Sequence, residues 1–433
     1  VEEVLAQAVK QAEAAEVFEI SSEETQVHFE ANRLKQLHTS QTTSLALRII
    51  KGGRVGYATT TGAGDPRTLV ANAVETAAFG TGAKFKFPGA TTFPRISIYD
   101  SKINSVPIKE MIALGETMID ALAAHTPGIL CEASVSRGII SVRLLNSNGG
   151  RSAYRKSFFA LGIEGTLIEG TDMLFVGDNE SSCRPLTDAK NITATVLRQL
   201  DLARRRAKVP TRPMPVIFTP DGITALVMPL LSAFNGKTVL EGASPLGDKV
   251  GQIAFDKHFS LRDDPLIAYR PGSRPCDDEG IPSQRTPLVT RGVVSGFLYD
   301  LQTAARAKKK STGNGSRGRG GLPSPSASAL VVTPGRTRFD DMVADIKEGL
   351  VVEQLMGAEQ GNILGGDFSG NVLLGYKIEK GKIVGRVKDT MVAGNVYQVL
   401  KDIPAIGSET RWVGGFLQTP PIYCRGLSVS SKD

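Results

Sequence analysis

The run GGDFSGNVLLGYKIEKGKIVGRVKDTMVAGN, Gly365–Asn395, limits the possible folds of this chain more than any other stretch. Tyr376, Ile378, Ile383 and Val387 supply apolar strand positions. Lys380-Gly381 interrupts them, and glycine there permits the positive φ of a tight hairpin turn. Glycine-rich loops bracket the pair, so the segment reads as a β-hairpin. A second hairpin with the same pattern is expected at Gly292–Gly296, although two matches this short do not make a repeat architecture. The chain holds 46 glycines against one tryptophan, which points to many turns and a β-rich protein.

At 433 residues the chain exceeds one ordinary core, so two domains are expected. Hydrophobic residues make up 41% and charged residues 22%, an ordinary globular composition. The segment KVPTRPMP at Lys208–Pro215 places three prolines in a short span, which ends a helix and stiffens the chain. The expected fold class is α+β, with an N-terminal α+β domain over 1–208 and a β-rich C-terminal domain over 216–433. Before the prolines, helices are expected at Val1–Ala15, Pro66–Phe79, Pro107–His125 and Thr187–Ala207. Short strands are expected between them, including Val17–Ile20, Gln26–Phe29, Cys131–Ser136 and Ile140–Asn146. A helix interrupted by Pro229 is expected over Gly222–Phe234.

The net charge of +7 permits an acidic partner without demanding one. Cys131, Cys183, Cys276 and Cys424 lie far apart without a CxxC pair, which fits a reducing compartment. The N-terminal VEEVLAQAVKQAEAAE is an acidic amphipathic pattern, not a secretory leader. The longest apolar stretch, Leu226–Leu231, is broken by Pro229 and falls short of the ~20 residues a membrane span needs. A cytoplasmic protein with no membrane partner is expected.

Histidine is scarce: His28, His38, His125 and His258 are the only four, none with a second His or Cys within helical reach. His28 and Glu30 share a strand face, but two ligands do not close a zinc site. Asp277-Asp278-Glu279 is the densest acidic cluster. It reads as an acidic turn paired with Arg285, with a hard-cation site or a cleft lining as alternatives. Asp263-Asp264-Pro265 reads as a turn, and Arg204–Arg206 as a solvated helix end. Arg306–Gly321, RAKKKSTGNGSRGRGG, is the most basic segment. Its formal GxGxxG lacks the preceding strand and following helix of a dinucleotide site. Three readings stay open: a nucleic-acid contact, a loop over a peptide cleft that captures a carboxylate, or a solvated loop. No GxSxG elbow exists, and Asp277 beside Cys276 disfavours a thiolate there.

The Gly365–Asn395 run also resembles the signature block of the TldD/PmbA family, described both as modulators of DNA gyrase and as metallopeptidases. Asp278-Glu279-Gly280 with Arg285 is similar to the family's DEG block, and Ser311-Thr312-Gly313-Asn314 to its STGN block. Asp263-Asp264-Pro265, Pro421–Val429 and Leu45–Tyr57 also match, in the right order. The resemblance implies an α+β domain followed by a β-rich one, associated as dimers. Its catalytic branch carries HExxxH on a helix early in the second domain, two histidines holding zinc and a glutamate serving as general base. The corresponding stretch here, LVMPLLSAF at Leu226–Phe234, has neither His nor Glu. The chain is therefore similar to the PmbA branch, also called TldE, which lacks the motif.

The resemblance implies a non-metal-binding subunit of a cytosolic peptidase complex acting on unfolded or modified peptides. No cofactor is expected in this chain, and zinc is expected in a TldD-like partner subunit; self-association is the other possible pairing. Expected peptide-cleft residues are Asp278, Glu279, Gly280, Arg285, Ser311, Thr312, Gly313, Asn314, Ser369, Gly370, Gly394 and Asn395, with no catalytic or metal-ligating residue. The alternatives are a regulator of DNA gyrase or DNA, and a homodimeric hydrolase with an unrecognised site.

Overall fold

Six long strands dominate the first half: β1 (Ala14–Glu30), β2 (Arg33–Lys51), β3 (Arg54–Thr61), β4 (Leu130–Asn146), β5 (Arg151–Glu169) and β6 (Asp172–Ser182). The structure is a computed structural model and describes residues 1–62, 64–318 and 321–432. The six strands form one antiparallel sheet in the order β3-β2-β1-β4-β5-β6. The short strands expected at Val17–Ile20 and Gln26–Phe29 are one strand, and both Cys131–Ser136 and Ile140–Asn146 lie in β4. The polar run Ser21–Gln26 does not break β1 because it pairs on both sides, with His38–Thr43 and with Ser136–Ser141. A backbone paired on both edges tolerates polar side chains.

Four helices cover this sheet: α1 (Glu2–Ala8), α2 (Pro66–Ala77), α3 (Ile108–His125) and α4 (Lys190–Ala203). The first ends well before Ala15 because the chain joins the sheet at Ala14. Asp65 caps α2 by accepting the Arg67 and Thr68 N–H groups, with Pro66 at the first helical position. Met111, Met118 and Leu122 of α3 and Ile192, Val196 and Leu200 of α4 pack on Phe29, Val135 and Phe159. Gly115 lets α3 approach closely: a Cβ there would lie 2.2 Å from the Phe29 ring.

The proline-rich segment leads into β7 (Arg212–Phe218), α5 (Thr224–Ala233) and α6 (Gly236–Leu240). A second sheet runs β10-β9-β8-β13-β20-β19. It comprises β8 (Leu261–Asp263), β9 (Thr286–Thr290), β10 (Val293–Val294), β13 (Leu330–Val332), β19 (Arg411–Val413) and β20 (Leu417–Thr419). Between β10 and β13 lie α7 (Leu301–Arg306) and the two-stranded pair β11 (Gly315–Ser316) and β12 (Ser324–Pro325).

The third sheet contains β7, β14 (Glu348–Met356), β15 (Asp367–Glu379), β16 (Lys382–Arg386), β17 (Thr390–Asn395), β18 (Ala405–Ile406) and β21 (Ile422–Ser431). Its path β14-β7-β21-β17-β15 closes, because β15 also pairs with β14. Alternation sends Val216, Phe218, Leu350, Val352, Leu427 and Val429 into one core. Ile217, Val351, Tyr376 and Tyr423 point the other way and join the core beneath α3 and α4. The anticipated hairpin turn has Lys380 at φ 51° and Gly381 at 75°. Two short helices, α8 (Phe339–Asp345) and α9 (Val396–Val399), complete an α+β fold whose second half is β-rich. Among the described residues no helix is long and apolar enough to cross a membrane.

Candidate functional site

One buried polar lattice ties together blocks that lie far apart in sequence. The Asp277 carboxylate accepts the N–H groups of Glu279, Ile281 and Gly315. Asp278 accepts the Arg317 N–H and pairs with Arg274 at 3.3 Å. Glu279 accepts from Arg48 Nη1 at 2.6 Å and from the Leu301 N–H at the start of α7. Asn314 donates to Asp263 at 2.6 Å, and Asp263 also accepts the Ser328 and Ala329 N–H groups. The DEG and STGN blocks are therefore neighbours. The acidic cluster is a turn, as its sequence implied, but a largely buried one that does not pair with Arg285, which binds Asp264 at 2.7 Å instead. Asp263 and Asp264 are both buried, Asp263 ends β8, and the turn expected at Asp263-Asp264-Pro265 starts at Pro265.

Electrostatics in the lattice follow from burial and close neighbours. Burial, reinforced by Glu279, raises the Asp277 pKa. Burial opposes the Arg48 charge, and the Glu16 and Glu279 carboxylates outweigh it. Burial pushes the Cys276 thiol up to about 12, with Asp277 a lesser contributor, so this cysteine is not a nucleophile at neutral pH.

Beside the lattice lies a cavity of about 480 Å³. Val239, Val250, Pro287, Phe297 and Tyr299 give it apolar walls, and Arg285, Lys309, Lys310 and Thr312 give it polar ones. Of the expected cleft residues, Arg285 and Thr312 line this space. Ser311 donates to the Tyr299 carbonyl, Gly313 adopts φ 73°, and Glu279 and Asn314 are buried in the lattice. Gly280, at φ 74°, packs near Leu144 of β4. Ser369, Gly370, Gly394 and Asn395 form a separate group where β15 pairs with β17. Asn395 donates to Gly365 O and Asp367 and caps α9 by accepting the Tyr397 N–H. Arg319 and Gly320 of the basic segment lie outside the described residues.

The helix α5 buries Leu226, Val227, Pro229 and Leu230 and offers no imidazole or carboxylate. Its side chains do not fit a zinc ion. Among the described residues, no group of three or more His, Cys, Asp or Glu side chains is placed to hold a metal. His125 contacts Asp201, His258 pairs with Asp256 at 2.7 Å, and His38 is exposed on β2. His28 lines a cavity of about 510 Å³ with Glu132, Glu164, Asp178 and Asp221.

Asp221 also lines a second cavity, of about 310 Å³, with Glu353, Arg198 and Arg411. Burial pushes Asp221 up to about 6, with Asp178 adding to the effect and Arg411 opposing it. Burial, then Asp221, pushes Glu353 up to about 7. Arg411 is held by both oxygens of Asp178, each at 2.6 Å. These residues were missed in the sequence. Asp221 sits in Thr-Pro-Asp-Gly, which reads as a plain turn, and the only signal at Glu353 is an acid closing the apolar run Leu350–Val352.

Residues 211–431, which contain the closed sheet and the DEG and STGN blocks, match the PmbA/TldA metallopeptidase C-terminal domain, and residues 15–78 match PmbA/TldA metallopeptidase domain 1. The chain belongs to the PmbA/TldD family. An uncharacterised protein of Methanocaldococcus jannaschii is 26% identical over 419 residues, covering 96% of each chain. A metalloprotease PmbA homologue of Haemophilus influenzae is 26% identical over 294 residues, covering 66% of this chain and 62% of that protein. The crystal structure of TldE from Thermococcus kodakarensis has the same fold, with a TM-score of 0.91 over 99% of both chains at 22% identity. Within this PmbA/TldD fold, Thr312 of the STGN block lines the 480 Å³ cavity, and Glu279 of the DEG block holds the Leu301 N–H at the start of α7.

Proposed function

We propose that this chain is the non-metal-bearing subunit of a PmbA/TldD-type peptidase complex in the cytoplasm, one that handles unfolded or modified peptides. The observation that carries this reading is α5. The family's catalytic branch holds zinc on the corresponding helix, and here that helix is apolar and contains Pro229. Hydrolysis then belongs to a metal-bearing, TldD-like partner. This chain supplies a surface on which a peptide is held.

The cavity beside α7 supports that role. Its apolar walls accept side chains, and its cations accept the anionic groups of a peptide. Holding the substrate raises its effective concentration at the partner's metal and orients the scissile bond. Four free, buried cysteines suit a reducing compartment. The test is to mix the purified chain with a purified HExxxH-bearing family member. Co-elution, together with peptide cleavage exceeding that of the metal-bearing protein alone, supports the proposal. Separate elution and unchanged cleavage would remove it.

A further inference from the structure

We propose that Lys309 and Lys310 form a carboxylate-capture site that draws an anionic group of an extended peptide into the 480 Å³ cavity. The proposal rests on the reading of the chain as a peptide-handling subunit and names the chemistry that its cavity selects.

The two lysines are held at both ends. The helix α7 closes with Lys308 N–H donating to Ala305 O and Lys309 N–H donating to Ala304 O at 2.8 Å. This is the paired hydrogen-bond pattern of a Schellman cap, which places Lys308 in the left-handed region at φ 54°. Glycine usually occupies that position, and a residue with a Cβ is strained there. On the other side, Thr312 and Tyr299 exchange hydrogen bonds: Tyr299 N–H donates to Thr312 Oγ1 at 2.8 Å, and Thr312 N–H donates to Tyr299 O. Ser311 Oγ donates to the same carbonyl.

The charge in the cavity is one-sided. Among the described residues, Arg285, Lys309 and Lys310 are its charged lining, and no carboxylate lines it. Among the described residues, no Asp or Glu lies within ion-pair distance of Lys309 or Lys310. Arg285 gives its Nε to Asp264, which leaves the two Nη groups available. Phe297 is buried and Val239 half-buried, so one wall is apolar and of low dielectric, which strengthens attraction to an entering anion. Three cations around one pocket with apolar walls match a single carboxylate and its neighbouring side chains. A nucleic-acid backbone would need a longer cationic track and, for single strands, stacking aromatics.

The carboxylate has two possible sources, the C-terminus of a peptide or an acidic side chain. The experiment uses three fluorescent apolar octapeptides: a free acid, its C-terminal amide, and the amide with one internal glutamate. Each is titrated with the full chain by fluorescence anisotropy, using wild type and the Lys309→Gln/Lys310→Gln variant, whose substitutions are at exposed positions and whose fold is checked by circular dichroism. Either acidic peptide should bind about tenfold more tightly than the plain amide, with the advantage lost in the variant. The tighter of the two identifies the source. A Lys309→Glu/Lys310→Glu variant should reverse the preference towards a peptide bearing an internal lysine.

Equal binding of all three peptides to wild type overturns the capture site while leaving the peptide-handling reading in place. Carboxylate-selective binding without any effect on a metal-bearing partner would do the opposite. An advantage that survives in the variant, or a DNA duplex bound through the same lysines in preference to every peptide, also overturns the capture site.

Discussion

Arg48 on β2 donates to Glu279 of the DEG block at 2.6 Å, and both side chains are withdrawn almost wholly from solvent. The same guanidinium holds Glu16 on β1 at 2.8 Å, Arg317 pairs with Glu16 in turn, and Phe85 and Phe87 cover Arg48 with ring centroids at 4.7 and 5.1 Å. Two acids and two arginines thus balance one another where the N-terminal sheet meets the STGN and DEG blocks. Removing one member leaves charge without compensation. Arg48→Met should destabilise the protein by about 3–5 kcal/mol, read from urea denaturation. Pairing it with Glu279→Leu should recover part of the loss. An Arg48→Met protein as stable as wild type would contradict the assignment.

A backbone effect is expected at Lys308. Its φ of 54° is one that glycine adopts without strain. Lys308→Gly should stabilise the chain by about 1 kcal/mol, visible as a raised urea midpoint.

Packing sets a different expectation at Gly115. A methyl group there meets the Phe29 ring, which is locked in the core beneath α3. Gly115→Ala should cost about 1–3 kcal/mol in spite of alanine's better helix propensity, and thermal melting would register the loss.

The acid pair Asp221 and Glu353 makes stability depend on pH. Both folded-state values are raised, to about 6 and about 7, so the folded protein binds more protons than the unfolded chain at intermediate pH. Their contribution is complete below the unfolded carboxylate range of about 4 and is lost as pH rises through about 7. Glu353→Gln removes much of that dependence. Relative to wild type the variant should gain on the order of 1–3 kcal/mol between about pH 4 and about pH 8, measured as the shift in urea midpoint. Asp178, Glu409, Arg198, Arg411 and Tyr376 surround the pair, so the comparison with wild type leaves all five as they are.

The local signals in the sequence were read where backbone geometry demands a particular residue. Lys380-Gly381 and Asp65-Pro66 mark a turn and a helix start through φ preference and capping, which need no tertiary partner. Strand length was misread because Ser21–Gln26 is polar, and only its two neighbouring strands keep it extended. The lattice was illegible for a related reason. Glu16, Arg48, Glu279 and Arg317 are ordinary charged residues until the fold buries them against one another. In the same way, the motif resemblance found the DEG and STGN blocks, whereas Lys309, Lys310 and Tyr299 acquire a shared cavity only once α7 is capped and the chain returns along it.

The central claim is that this chain does not itself grip a hydrolytic metal. Elemental analysis of the intact protein, purified without chelator and dialysed against buffer containing trace zinc, tests it most directly. The account predicts far less than one equivalent of zinc per chain. One equivalent of tightly held zinc, retained through dialysis and ligated by this chain's own side chains, would contradict it.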